Sequence, residues 1–361
     1  MSWPYWLTPF IPVAVVLELV HASPAAVFFV SALGVIPTAA LMGQATEELA
    51  ERSGPGIGGL LNVTFGNAPE LIIALFALGK GLHEVVKATL IGSILGNILL
   101  VLGAAMLVGG LGRERQFFGR TAASSQSALL LLASVAFAMP AIFELVEGRG
   151  LPSPGAEVVD YGPRVEQLSF ALAIILALVY VAAMVFSLRT HRDLFNPVVE
   201  EEEQAEEPWS VRKAVGALAI AGVAVGLMSE ILVGSITEAA KSVGLSEFFI
   251  GAIVVAIVGN AAEHWVAVLV AAKDKMDLAV NIAIGSAGQI ALFVAPVLVL
   301  LSFVLGPHPM ALVFNAFELG AVLFAVLIAN HVTNEGESTW FEGLQLLAVY
   351  LVLGLTFYFA T

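Results

Sequence analysis

Eleven runs of apolar residues, each near the length that crosses a bilayer, divide this 361-residue chain. A helix rises 1.5 Å per residue, so about 20 apolar residues span the hydrocarbon core. The runs lie at 5–21, 24–46, 57–79, 85–109, 121–143, 166–188, 211–236, 247–272, 278–305, 309–330 and 340–360. The chain is 59% hydrophobic and 12% charged, with a mean hydropathy of +0.95. Soluble domains carry about twice that charged fraction. The pattern predicts an all-α polytopic membrane protein of about eleven transmembrane helices, with the lipid bilayer as its solvent.

Composition removes several function classes. The chain has no cysteine, which excludes disulfides, thiolate metal sites and cysteine nucleophiles. A metal ion here meets oxygen or imidazole, a donor set that favours hard cations. The net charge of −14 argues against a nucleic-acid partner. Nothing in the sequence calls for a cofactor, and a homo-oligomer is compatible with it. Only the stretch 189–210 is polar and long enough to separate the chain into halves. It leaves an N-terminal membrane helix (1–22), a first five-helix half (23–188), an acidic linker (189–210) and a second five-helix half (211–361). The linker carries Glu200, Glu201, Glu202, Glu203, Glu206 and Glu207, read either as a plain solvated linker or as a surface that attracts divalent cations. Ten Lys and Arg fall in loops on the N-terminal side and five, Lys80 and Lys87 among them, on the other. That bias predicts a cytoplasmic N-terminus and linker.

The two halves repeat one another. Gly66-Asn67-Ala68-Pro69-Glu70 returns as Gly259-Asn260-Ala261-Ala262-Glu263, 193 positions later. The same offset joins Gly58 to Gly251, Lys80 to Lys273 and Gly92-Ser93 to Gly285-Ser286. Upstream, Gly43 and Thr46-Glu47 match Gly234 and Thr237-Glu238 with the offset shortened by two. Five spans is an odd number, so the halves face opposite ways across the bilayer. Inverted repeats place a transported substrate near the midplane, where the halves meet. Glycines alone are explained by close helix packing; an Asn and a Glu at the same register in each half are not.

Glu70 and Glu263 sit inside apolar runs, where an ionisable group is costly and usually functional. On a helix, each shares a face with the Asn three positions before it (Asn67, Asn260) and the Gly four before it (Gly66, Gly259). Pro69 deprives the Phe65 carbonyl of its helical partner, freeing an oxygen. In the second half Ala262 replaces the proline, so any unwinding there falls to Gly259. Two ionised carboxylates carry −2, and calcium carries +2 and takes six to eight oxygens. Without the ion, close carboxylates in low dielectric hold protons instead. Competition between calcium and protons for one site is the physical basis of antiport. The plainer alternative is a structural pair of protonated glutamates.

A second tier follows in the next span of each half. Ser93 and Ser286 supply hydroxyls that ligate, position water or bond a helix carbonyl, while Asn97 and Gln289 supply amides costlier to bury. His264 lies about 100° around the helix from Glu263, as a proton gate or a satisfied core histidine. Glu230 and Glu318 have no counterpart in the other half and serve a proton route or hold a helix pair; Glu18, Glu47 and Glu238 lie nearer span ends and face water.

The first motif, with Gly92-Ser93-Ile94-Leu95-Gly96-Asn97, resembles the first repeat motif of calcium/proton exchangers. Gly259-Asn260-Ala261-Ala262-Glu263-His264, Lys273-Asp274-Lys275-Met276-Asp277-Leu278 and Gly285-Ser286-Ala287-Gly288-Gln289-Ile290-Ala291-Leu292-Phe293 resemble the second. The acidic run is similar to that family's acidic helix. The resemblance covers nearly the whole chain. It implies an eleven-span fold of inverted five-helix repeats, alternating access, and cation and proton binding by Glu70 and Glu263. The expected cargo is calcium, exported from the cytosol in exchange for protons across a prokaryotic plasma membrane, since the regulatory tail of plant vacuolar members is absent. Asn97 faces Ile290 in the alignment of the halves, which leaves open which amides reach the ion. Sodium/calcium exchangers are the near rival. They usually set Thr or Ser before a Pro-Glu pair in both halves, whereas this chain has Asn67, Asn260 and Ala262. An intramembrane serine hydrolase, with Ser286 in Gly285-Ser286-Ala287-Gly288 and His264 as base, is the rival of another class. It leaves the duplicated glutamates without a task.

Overall fold

A computed structural model describes residues 3–157, 160–191 and 209–360 of the chain. Eleven helices follow in order: α1 (Phe10–Leu19), α2 (Pro24–Phe65), α3 (Ala68–Gly79), α4 (His83–Gly110), α5 (Arg120–Val146), α6 (Pro163–Thr190), α7 (Val211–Val243), α8 (Glu247–Ala272), α9 (Met276–Ser302), α10 (Ala316–Thr333) and α11 (Trp340–Phe359). Among the described residues nine helices are long and apolar enough to cross a bilayer, the first of them being the Pro24–Ser53 stretch of α2; Tyr5–Leu19 and Ala68–Gly79 are shorter apolar helices. The linker glutamates, Glu200 to Glu203 with Glu206 and Glu207, lie outside the described residues.

Three expected spans differ in detail. The first is a ten-residue α-helix behind a short 3-10 turn, about 15 Å long and too short for a full crossing. The third is broken. Its leading half, 57–65, is the end of the helical run of α2, and its trailing half is α3. The run doubles back within α2, because a Cβ on Gly58 would overlap the Ala50 carbonyl. Eight residues of straight helix would hold those positions about 12 Å apart. The break before α3 falls where its residues dictate. Asn67 leaves helical geometry (φ −103°, ψ 26°), and Pro69 stands in the first turn, where a missing N–H costs least. The tenth span begins extended and turns helical only at Ala316, after Asn315 and Glu318 form a reciprocal capping box.

Helix pairing obeys the repeat. Helix α2 packs on α7 and α5 on α10, while α4 packs on α11 and α6 on α9. Exchanging the halves maps the first two pairings on themselves and interchanges the other two. Wider helical turns of π type occupy matching places, Gly96–Val101 in α4 and Ile290–Val294 in α9. On the N-terminal side, β1 (Gln116–Phe117) and β2 (Glu337–Ser338) pair antiparallel, clamped by an Arg115–Glu337 ion pair at 2.9 Å.

The opposite side, called the far side below, is fastened by buried charge. Lys87, counted above among the far-side loop cations, is instead 1% exposed. Its Nζ lies 3.4 Å from Glu84 Oε2 and donates to the Val313 carbonyl at 3.0 Å. Glu318 is fully buried beside them in the first turn of α10, where it accepts from the Asn315 amide. Glu157 accepts from the His83 and Glu84 amides and so caps α4. Partial burial pushes the Glu157 carboxyl above the usual carboxylate range, against those two hydrogen bonds. Lys87→Met strips the counter-charge from a carboxylate that cannot reach water. We expect it to destabilise the protein by about 3–5 kcal/mol, seen as a lowered melting temperature in detergent, with partial recovery in the Lys87→Met, Glu84→Gln double variant. An unchanged melt would refute a stabilising pair.

Candidate functional site

A cavity of about 350 Å³ runs from the middle of the bundle toward the N-terminal side. Glu70 and Glu263 both line it, with Gly259, Gly285, Ser286 and Gln289 at its inner end and Glu47, Tyr5 and Trp3 near its mouth. Different local structure delivers each glutamate. Glu70 is in the first turn of α3, just past the helix break, and is 6% exposed. Glu263 is in the unbroken middle of α8 and is half-buried. The unwinding considered at Gly259 does not occur, since α8 runs through it as α-helix. The absence of a side chain at Gly259 makes room instead. A Cβ there would meet Glu70 Oε1 at 3.4 Å.

The paired asparagines and serines cross between the halves. Asn260 Nδ2 donates to Ser93 Oγ at 3.1 Å, and Ser286 Oγ stands 2.9 Å from Asn67 Oδ1, which it faces as donor. Each Asn therefore bonds the Ser of the opposite half. Asn67 is the residue before α3 and is of the type that caps helices, yet its side chain makes no cap hydrogen bond. It reaches across to Gln289 as well, donating from Nδ2 to Oε1 at 2.6 Å. Ser286 is the busiest group. It accepts from Asn97 Nδ2 at 3.3 Å and also lies 3.0 Å from Glu263 Oε2. A hydroxyl has one proton, so Ser286 serves Asn67 or Glu263 at a given moment.

This network engages the Asn67, Asn97 and Asn260 nitrogens but not every oxygen. Among the described residues, Glu70 Oε2, Asn97 Oδ1 and Asn260 Oδ1 are buried without a hydrogen-bond partner. A buried acceptor without a donor is costly, and a hard cation is the ligand that carboxylate and amide oxygens together satisfy. No group of three or more His, Cys, Asp or Glu suited to a metal occurs among the described residues. A cation here would therefore draw on the two glutamates plus neutral oxygens.

Residues 23–189 and 213–359 match the family model described as sodium/calcium exchanger protein. A Ca²⁺/H⁺ antiporter of Aphanothece halophytica is 43% identical, with 98% of this chain and 96% of that protein covered. The Ca²⁺/H⁺ antiporter ChaA of Bacillus subtilis is 46% identical, with 96% of each covered. The solved structure of native YfkE matches with a TM-score of 0.82 at 42% identity, covering 98% of both chains. This chain belongs to the calcium/proton antiporter branch of the sodium/calcium exchanger family.

Within this exchanger the residues singled out from sequence gather unequally. Glu70, Glu263, Gly66, Gly259, Ser286 and Gln289 line the cavity, while Asn67, Asn260, Ser93 and Asn97 stand behind them in the hydrogen-bond network. His264 is turned away, with its Cε1 3.9 Å from where a Gly96 Cβ would be. Its Nε2 is buried with no partner among the described residues, so it is not a satisfied core histidine. Ser286 pairs with Asn67, Glu263 and Asn97 rather than with His264, and no serine–histidine hydrolase pair is assembled. Glu230 is exposed on α7, apart from the site. Sequence reasoning gave no role to Trp3, Tyr5 or Gln44. Tyr5 donates to Gln44 Oε1 at 2.6 Å and Trp3 rests 5.2 Å from the Trp265 ring, which builds the mouth. Aromatic residues ahead of a first span carry no pattern that would reveal this. Gly259→Val fills the space Glu70 occupies. We expect calcium binding, read by titration calorimetry, to weaken at least tenfold while the melting temperature holds; wild-type affinity would show that Glu70 is free to move aside.

Proposed function

We propose that this chain is a calcium/proton antiporter that works by alternating access, with Glu70 and Glu263 as the groups that carry either calcium or protons. The observation that carries the reading is the pairing of two carboxylates, one from each inverted half, on one cavity, with the Asn67, Asn97 and Asn260 nitrogens engaged and Glu70 Oε2, Asn97 Oδ1 and Asn260 Oδ1 left without partners beside it. Calcium fits the pair in charge and donor type. The names of the relatives from Aphanothece halophytica and Bacillus subtilis support calcium and protons as the exchanged pair. Asn67, Asn260 and Ala262, where sodium exchangers carry Thr or Ser and Pro, point the same way.

The coupling follows from charge. An empty pair of ionised glutamates is expensive to enclose away from water. Calcium neutralises it, and so do two protons. Both loaded forms cross easily and the bare form does not, so one ion moves only against the other. The inverted halves are 23–188 and 211–361, preceded by a membrane segment at 1–22 and joined by the acidic linker at 189–210. With the N-terminus in the cytoplasm, the cavity opens inward and the direction of work is calcium export across a prokaryotic plasma membrane. The linker glutamates, Glu200 through Glu203 with Glu206 and Glu207, would gather calcium near that mouth.

The test is calcium uptake by proteoliposomes under an imposed pH gradient in sodium-free buffer. Uptake should follow the gradient and vanish in Glu70→Gln and in Glu263→Gln, with both variants folded; Glu201→Gln should remain close to wild type. Protonation removes ligand charge, so calcium affinity should fall as pH falls, by up to about tenfold per pH unit for each proton displaced. Uptake that requires sodium, or normal exchange by either core variant, would overturn the proposal.

A further inference from the structure

The ion cavity has a smaller neighbour. A cavity of about 130 Å³ lies between α5 and α9 on the N-terminal side, apart from the mouth at Glu47, Tyr5 and Trp3. Gly119 and the exposed Asp277 stand at its outer end, and Asn281 lines both cavities as their common wall. Along α9, Asp277, Asn281 and Gly285 follow one helical turn apart. Gly285 in turn lines the ion cavity beside Ser286, which bonds Glu263.

The two ends of this row are held differently. At the outer end Asp277 Oδ1 accepts from the Gly119 amide, just before α5. At the inner end Asn281 Oδ1 accepts from Gln126 Nε2 at 3.2 Å. Gln126 Oε1 lies 3.8 Å from the Cβ position of Gly285 and is buried without a hydrogen-bond partner among the described residues. A third cavity, of about 150 Å³, is lined by Gln126, Tyr180, Gly285 and Gln289, and the Tyr180 hydroxyl is likewise buried without a partner. Water satisfies an amide oxygen and a phenol stranded in this way, and at about 10–15 Å³ for each molecule both small cavities hold several.

Calcium and protons need different things of such a passage. Calcium must exchange its water for six to eight oxygens. The small cavity offers the side chains of Asp277 and Asn281 among Phe118, Ala122, Ala123 and Val280, too few for that ion. A proton needs only hydrogen-bonded water and a base at the end of it. The repeat shows that one half alone is equipped. The mates of Asp277, Val280 and Asn281 are Glu84, Lys87 and Ala88. On the far side, therefore, the acid is buried with a lysine 3.4 Å away, and a methyl group stands in place of the amide.

We propose that protons leave the site toward the N-terminal side through this passage between α5 and α9, with the Asn281–Gln126 pair as its inner neck and Asp277 as the acceptor at its outer end, while calcium uses the main mouth. The inference rests on the exchange reading above. The Glu263 carboxyl gives its proton to water beside Gly285, neighbouring waters pass it on by exchanging O–H bonds, and the Asp277 carboxylate takes it and returns it to bulk water. Separate paths keep incoming calcium and an outgoing hydronium from meeting in one narrow cavity, where like charges repel.

Asp277→Asn keeps an oxygen for the Gly119 amide and removes the base. The test uses proteoliposomes with the N-terminal side outward, an acid interior and dilute external buffer. The variant should lower the maximal rate of calcium uptake about tenfold, the main mouth still passing some protons, and leave half-saturating calcium unchanged. Concentrated external MES, a membrane-impermeant proton acceptor, should restore the rate of Asp277→Asn and do nothing for wild type. Asp277→Glu, which returns a carboxylate, should recover most of the rate. Asn281→Leu blocks the neck inside Asp277 and should lose the same rate with no recovery in MES. A wild-type rate for Asp277→Asn in dilute buffer, a loss that MES does not repair, or a change in half-saturating calcium alone overturns the passage. Should Asp277→Asn not assemble, Asn281→Leu carries the test, and an undiminished maximal rate overturns the passage. Wild-type uptake that ignores the pH gradient sinks the antiport reading itself, whereas gradient-driven uptake with Asp277→Asn intact sinks the passage alone.

Discussion

Two carboxylates on one small cavity, in a bundle otherwise built of Ala, Val, Ile, Leu and Phe, set the terms for everything around them. Ionised and unpaired, they would be intolerable in so apolar a place. The surrounding side chains answer by orientation rather than by charge. Asn67 gives up the helix cap its position invites and crosses to Gln289 and Ser286. Asn260 turns its nitrogen to Ser93 and its own helix carbonyl. The Asn67 and Asn260 nitrogens are thereby tied to neutral partners, and Asn260 Oδ1, like Glu70 Oε2, is left without a donor. No lysine or arginine among the described residues lines the cavity. A resident cation from a side chain would neutralise the pair permanently and leave nothing for an exchanged ion to do.

The halves are related but not equal, and the inequality is chemical. Asn97 donates to Ser286, whereas Ile290 has no means to donate to Ser93. Gln289 receives Asn67, whereas its mate Gly96 has no side chain to receive Asn260. Glu263 is therefore steadied by Ser286, while Glu70 keeps an unpartnered oxygen at the end of a helix break. The half that holds Pro69 is the broken one and carries the freer carboxylate. A strict twofold site would bind its ion symmetrically; this one has a fixed jaw and a looser jaw.

Much of this was legible in sequence because burial in a bilayer makes polar residues rare and their repetition conspicuous. Glu70 and Glu263, their asparagines, and the Ser93/Ser286 tier were all found by register alone, and they converge. The helix break at Asn67 was legible through Pro69. What sequence could not reveal came from groups whose meaning depends on a neighbour distant in the chain. Lys87 sits four residues inside its helix and reads as an interfacial cation; only Glu84, Val313 and the adjoining first turn of α10 make it a buried one. The 57–79 run reads as one span because its apolar pattern is continuous. Its division depends on a fold-back within α2 and a break at Asn67 that hydropathy does not register. Glu318 reads from sequence as part of a proton route or a tie between helices, and the structure instead gives it a capping box with Asn315.

The far-side charge cluster and the near-side cavity are complementary consequences of one inverted plan. Glu84, Lys87 and the Val313 carbonyl tie α4 to the segment that enters α10. The paired contacts of α5 with α10, α4 with α11 and α6 with α9 keep their form when the halves are exchanged, so they need not change when access does. Backbone approach at matched glycines differs as well: a Cβ on Gly92 would overlap the Ala252 carbonyl at the start of α8, whereas the nearest atom to a Cβ on its mate Gly285 is Gln126 Oε1 at 3.8 Å. The buried Lys87–Glu84 pair fixes α4 at one end while its glycine face at Gly92 receives the backbone of α8. Glycine at that seam is what lets backbone meet backbone closely enough to exclude water beside two carboxylates that must not be solvated from both sides at once.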